Sequence, residues 1–180
     1  MINLTPKLLA EAMGCSQAKA EVWFSPIQQT LECYGINRYL RAAAFLAQIA
    51  HESGRFFWVR EIWGPTPAQQ RYEGREDLGN TKQGDGFRFR GRGLIQVTGR
   101  ANYRRMGRPL GLPLEESPEL LEVPFHAAMS AGQFWEWHQL NALADCGEPC
   151  FCQITRIING GQNGAAERRA LYERALRALG

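Results

Sequence analysis

Residues 38–53 read RYLRAAAFLAQIAHES, and the spacing of their apolar side chains leaves little choice of backbone. Leu40, Ala44, Ile49 and their neighbours recur at helical period, which predicts an amphipathic helix with a broad face turned to a core. Asn37 ahead of the stretch offers a side-chain cap, and Gly54 behind it offers a stop. Outward from there the same signals repeat. Thr5-Pro6 predicts a helix start, with an end near Gly14. Ser16 opens a second helix running toward Gly35, with a bend expected at Ser25-Pro26. FHAAMSAGQFWEWHQL after Pro124, QITRII and AAERRALYERALRAL predict the later helices. The last is amphipathic and is expected to pack on the domain rather than lie on a membrane. Between Trp63 and Gly93 come GPTP, EGRED, GNTKQGDG and GRG, where helical periodicity vanishes and short strands or turns are expected. The predicted architecture is mainly α, one domain over residues 1–180, with a loop-rich, short-strand central region forming a cleft.

A chain of 180 residues with 44% hydrophobic and 22% charged residues has the balance of a soluble globular domain, which excludes wholesale disorder. The longest nearly apolar run, 42–50, is too short to span a bilayer. The start, MINLTPKLLAEAMG, lacks the basic, apolar and small-residue segments of a secretory signal, so synthesis in the cytoplasm without an export signal is expected. Lys and Arg total 21 against 18 Asp and Glu, and only Lys7, Lys19 and Lys82 are lysines. Arg88, Arg90, Arg92, Arg100, Arg104, Arg105 and Arg108 crowd one stretch. They form a basic surface that suits an anionic partner, or is simply solvated. No helix-turn-helix or zinc-finger pattern accompanies them, so no specific nucleic acid is expected. The five cysteines include CGEPCFC (146–152), whose spacing has no second ligand pair and predicts no metal site. A local Cys146–Cys150 or Cys146–Cys152 disulfide is open to it in an oxidising compartment.

Three constellations bear on chemistry. His51-Glu52 is not the start of a zinc-binding H-E-x-x-H, because Arg55 stands where the second histidine would be. Glu52 instead ends an apolar helix where the chain opens into a loop, a setting that desolvates a carboxyl and suits a proton donor to a glycosidic oxygen. Glu61, nine residues on in ESGRFFWVRE, supplies a second carboxyl. One helix through both would place them on opposite faces, ~13.5 Å apart along the axis. A working dyad therefore requires the chain to turn after Ser53-Gly54, and a separation of ~6.5–9.5 Å would leave room for water and predict inversion. At least two of Phe56, Phe57 and Trp58 between them are expected in the core. The third constellation is GDGFRFRGRGLIQVTGRANY, 84–103, whose glycines match neither a dinucleotide fingerprint nor a P-loop. On an extended segment Gln96 and Thr98 would share one face, available to a water and a sugar amide. Turn chemistry with a buried polar network is the other reading.

AFLAQIAHES, then FRFRGRGLIQVTGRANY, then ITRIINGG, in that order over about residues 40–175, resemble glycoside hydrolase family 19. That family includes chitinases and many phage or prophage endolysins. The resemblance implies a lysozyme-like fold of two mainly helical lobes around a cleft, with no metal and no cofactor. Glu52 matches the family's general acid and Glu61 the second carboxylate of its compact members. Thr98 stands where a Ser or Thr helps hold the attacking water. Gln96, Asn102 and Asn159 match positions that contact sugar. Arg168, grouped with these substrate-side positions, resembles an arginine near the acid–base network, and Arg169 beside it leaves that alignment open by one residue. Glu73, in YEGR, is a rival to Glu61; Glu61 is preferred because it keeps the short-loop spacing. Arg55 also departs from the family's glycine pair and puts a cation near the acid.

The resulting expectation is an enzyme of the endolysin type, cutting β-1,4 bonds of peptidoglycan glycan strands with inversion. It would act in the periplasm after release from the cytoplasm, as a monomer aided by a pore-forming lysis partner. A chitinase is the nearest alternative, and a non-catalytic glycan- or nucleic-acid-binding protein a more distant one.

Overall fold

The computed structural model describes residues 2–180. Ten helices dominate it: α1 Pro6–Met13, α2 Gln17–Cys33, α3 Tyr39–Glu52, α4 Pro67–Gln70, α5 Asp85–Arg88, α6 Arg100–Leu110, α7 Pro124–Trp137, α8 Leu140–Asp145, α9 Glu148–Asn159 and α10 Ala165–Leu179. Short 3-10 turns occupy Glu76–Leu78 and Pro118–Glu122.

Local chemistry accounts for most of the boundaries. Thr5 caps α1 through the Leu8 amide and Ser16 caps α2 through the Lys19 amide, as the sequence predicts. Pro26 does not end α2. The carbonyl that its missing N–H would serve belongs to Val22, whose exposed position lets water satisfy it. Asn37 is not the cap of α3: Arg38 takes that position with no side-chain bond, and the Asn37 carbonyl instead receives the Ile2 amide. The 63–93 region forms turns and very short helices. Its only β pairing among the described residues is two isolated bridges, Arg60 with Arg92 and Arg92 with Val97.

Two hydrophobic cores result. The larger gathers α1, α2, α3, α7, α8, α9 and α10 around Ala42–Ala47, Ile49 and Trp135. Here α10 packs against α3 and α1, burying Leu171, Tyr172 and Ala175. The smaller core holds Phe89, Val97, Tyr103, Met106, Leu114 and Leu121. Ile95 and Phe134 touch both, so the two lobes meet along the segment that carries Gln96 and Thr98. Cys146 and Cys150 form a disulfide between α8 and α9, one of the two local pairings open to the sequence.

Candidate active site

Glu52 hangs from the last turn of α3, and its carboxylate is ion-paired to Arg168 from the first half of α10. Arg168 is only 1% exposed. Its other guanidinium nitrogens donate to Gln48 Oε1 at 2.6 Å and to the Asn163 carbonyl at 3.2 Å. Gln48 in turn donates to Thr155 Oγ1 at 2.9 Å. A chain of polar groups thus crosses the large core from α9 to the carboxylate. A buried cation survives there because every face of it finds an acceptor. The apolar setting expected for Glu52 is therefore corrected: its neighbour is a guanidinium. Arg168 sits beside the acid with its donors engaged, while Arg169 points to solvent and pairs with Glu148 and Glu173.

The chain does turn after Ser53. Gly54, Arg55 and Phe56 have φ of 55°, 58° and 64°, a left-handed run that only glycine adopts freely. Two anchors hold it. Ser53 Oγ donates to the Ile49 carbonyl at 2.6 Å and accepts the Phe56 amide at 2.9 Å. The Phe56 ring stacks on Trp23 with centroids 4.7 Å apart. Filling that slot with Phe56 turns its neighbours outward, so Phe57 is 61% and Trp58 44% exposed. The expectation that two of these three aromatics are core is overturned; one is.

The segment after the turn runs alongside the G-R-G stretch. The Glu61 amide donates to the Gly91 carbonyl at 2.8 Å, and the Gly93 amide to the Val59 carbonyl at 2.9 Å. The Glu61 carboxylate is then fixed by three donors: the Gly91 amide at 3.0 Å, Gln69 Nε2 at 3.0 Å and, more weakly, the Tyr72 hydroxyl at 3.5 Å. Burial, and next the Glu61 charge, push the Tyr72 hydroxyl above its usual pKa, so it stays protonated and able to donate. Gln69 and Tyr72 were not legible as site residues. Glu73, the rival carboxylate, receives the amides of Gly84 at 2.6 Å and Gly86 at 2.8 Å, where it braces the turn into α5.

Gly91 joins Glu61 to the third constellation. A Cβ there would lie 2.6 Å from Gln96 Oε1, so a larger residue at 91 would require the Gln96 side chain to shift. Gln96 itself has φ 55°, which overturns the extended segment expected at 96–98 and supports the turn reading. Its side chain donates to the Gly93 carbonyl, Thr98 Oγ1 donates to the Gln96 carbonyl and Asn102 Nδ2 to the Thr98 carbonyl, at 2.9, 2.9 and 2.7 Å. Despite the turn, Gln96, Thr98 and Asn102 line one cavity of about 270 Å³ between the lobes, with Ile95, Phe134 and Trp137 as apolar wall. Asn159 ends α9 next to Ile158, which also lines this cavity, and its Nδ2 is buried with no partner. Glu61 lies on a second, open cavity of about 430 Å³ with Phe57, Trp58, Arg60 and Arg90. Among the described residues no group of His, Cys, Asp and Glu is placed to hold a metal.

No family model matches the chain. It is 32% identical over 178 residues to a Haemophilus influenzae protein named for a glycosyl hydrolase family 19 domain, covering 83% of this chain and 85% of that one. It is 33% identical over 162 residues to an Arabidopsis thaliana endochitinase, covering 84% of this chain and spanning about half (50%) of the plant protein. Among solved structures, a bacterial family 19 chitinase superposes with TM-score 0.74 at 22% identity, over 98% of this chain and 94% of the other. Chitinase C of Streptomyces griseus gives 0.71 at 22%, over 97% and 76%. The structural likeness establishes the lysozyme-like fold, and the Haemophilus relative carries the rest: the chain belongs to glycoside hydrolase family 19.

Proposed function

We propose that the protein hydrolyses β-1,4 bonds in the glycan strands of bacterial peptidoglycan by a single displacement. Glu52 donates its proton to the bridging oxygen as the glycosidic bond breaks. Water attacks the anomeric carbon from the opposite face, and Glu61 accepts the proton it loses, so the product is inverted. Arg168 supplies a positive charge beside the carboxylate that donation leaves behind. Thr98 and the turn around it position the water, while Gln96 and Asn102 hold the sugar, with Asn159 beside them at the end of α9. The single observation that carries this reading is that two fixed carboxylates stand at the two ends of one anchored turn, Glu52 paired to Arg168 and Glu61 held by Gly91, Gln69 and Tyr72.

Charge favours peptidoglycan. The chain is formally +3. Although Arg90 and Arg92 are buried and Arg92, Arg100 and Arg104 are paired to carboxylates, Arg88, Arg105 and Arg108 stand exposed on the lobe that bears Thr98, with no carboxylate partner among the described residues. An anionic wall polymer is attracted to such a face and neutral chitin is not. The protein is proposed to act as a monomer in the periplasm, which it reaches from the cytoplasm once a pore-forming partner opens the inner membrane. A second reading, chitin hydrolysis, is favoured by the exposed Phe57 and Trp58 beside Glu61, whose apolar faces suit sugar rings.

Turbidity loss of outer-membrane-stripped Gram-negative cells, with colloidal chitin in parallel, separates the two. Clearing of cells with chitin spared is expected. Chitin cleavage without clearing would replace the proposal with the second reading.

A further inference from the structure

The cavity beside Glu61 contains a cation that the catalytic scheme does not use. Arg90 is 8% exposed, yet no carboxylate pairs with it. Its one hydrogen bond runs from an Nη to the Phe87 carbonyl at 2.8 Å, and its guanidinium lies over the Phe87 ring, 4.1 Å from the centroid. Burial first, then Arg92 and Arg60, lower its pKa, as expected for a cation short of anionic partners. The nearest carboxylates are already engaged: Glu122 accepts from Arg92 at 2.7 Å and from Arg60 at 3.2 Å, and Glu61 accepts from Gly91, Gln69 and Tyr72. Arg60 is half exposed at the rim of the same cavity. Arg60, Arg90, Glu61 and Glu122 line an open space of about 430 Å³, and because Arg92 behind it also draws on Glu122, the cation left without a carboxylate at the cavity wall is Arg90. A planar guanidinium with free donors, stacked on a ring and lining an open cavity, matches a carboxylate in geometry and charge.

We propose that Arg90, assisted by Arg60, forms a carboxylate-binding subsite next to Glu61 that takes an anionic substituent of the glycan strand. The inference rests on the peptidoglycan reading and sharpens it: the enzyme recognises the wall polymer by the carboxylate its alternate sugars carry, which chitin lacks. On strands that bear stem peptides the carboxylate belongs to the peptide, whose attachment converts the lactyl carboxyl to an amide; on strands stripped of peptide it is the lactyl carboxylate of muramic acid itself.

The test compares kcat/KM of wild type, Arg60→Gln, Arg90→Gln and Arg90→Lys on intact peptidoglycan, on strands stripped of stem peptides by an amidase, and on chitin oligosaccharides. Arg177→Gln, exposed on α10, is the charge-matched control. Loss of one charge-assisted contact predicts a drop of about tenfold for Arg60→Gln and Arg90→Gln on the carboxylate-bearing substrates. Less than a twofold change is expected on chitin oligosaccharides, and none for Arg177→Gln. A drop on intact strands alone identifies the stem-peptide carboxylate, and a drop on stripped strands identifies the lactyl one. Equal losses on all three substrates, or no loss on any, would overturn the subsite. Arg60→Gln, at an exposed rim position, decides the matter if Arg90→Gln fails to fold. Binding is read independently of turnover from the Arg90 Nε–H resonance on adding N-acetylmuramic acid, muramyl dipeptide or chitobiose. A shift with either anionic probe, absent with chitobiose, supports the subsite even if peptidoglycan is not cleaved, in which case only the substrate reading fails. No shift with either anionic probe contradicts it.

Discussion

Arg168 shows how one side chain organises chemistry it does not perform. It sits between Gln48 and Glu52, so replacing it leaves a buried amide and a carboxylate without their common donor. Arg168→Gln is expected to lower stability by about 3 kcal/mol or more and to reduce activity along with it, because removal of one partner strands the other. Urea denaturation and peptidoglycan turnover of the same preparation check both. The Arg168–Arg169 choice could not be made from sequence, since neighbouring helical positions differ by only ~100° in direction and the two residues are chemically identical. Gln48 did carry a signal, as the one strongly polar residue inside the apolar run 42–50, and its buried bond to Thr155 explains its presence. Gln69 and Tyr72 carried none, because their approach to Glu61 is made by tertiary folding of a loop with no periodicity.

At the scale of elements, the turn after α3 sets where Glu61 goes. Ser53→Ala removes both hydrogen bonds of the Ser53 hydroxyl at once, leaving the buried Phe56 N–H unpaired while the Trp23 stack remains. A loss of about 1–3 kcal/mol is expected, with a fall in turnover larger than for a surface substitution of equal stability cost. Thermal melting beside kinetics separates the two effects. The packing of α2 on α7 gives a sharper structural prediction. A Cβ at Gly132 would fall 2.2 Å from the Tyr34 ring and 2.7 Å from Thr30, so Gly132→Ala should destabilise by about 1–3 kcal/mol while leaving the site chemistry intact. Helices were the legible part, since caps and 3.6-residue periodicity are local: α10 occupies the AAERRALYERALRAL stretch that its pattern marks. The left-handed run at 54–56 was not legible, because its strain is supported by Trp23, thirty-odd residues away in sequence. The same distant contact decides that Phe56 is buried while Phe57 and Trp58 are exposed, which local sequence does not encode.

On the scale of the whole molecule, two cores meet where the polar residues of the third constellation gather, which is how a mainly helical chain, with no sheet among the described residues, makes a cleft. The smaller lobe depends on ion pairs as well as on its six-residue core. Hydrogen bonds from Arg100 hold the Asp85 carboxyl below its ordinary value, and those from Arg104 do the same for Glu115. Folded values below the unfolded ones mean that this stabilisation is complete above the usual carboxylate range and is lost as pH falls through the depressed values. Urea midpoints should therefore fall as pH is lowered from 5 toward about 2, and Asp85→Asn should flatten that dependence; a midpoint that rises on acidification would contradict the sign. The family motifs made this level accessible from sequence, whereas the cationic cavity beside Glu61 was not, since Arg60 and Arg90 are brought together only by pairing of 59–61 with 91–93. The central claim, that Glu52 is the proton donor, is tested most directly by the rate of reducing-end release from purified peptidoglycan by Glu52→Gln against wild type. A loss of at least about 10²–10⁴-fold with an unchanged circular dichroism spectrum is predicted, and a folded variant that keeps near-wild-type turnover would contradict it.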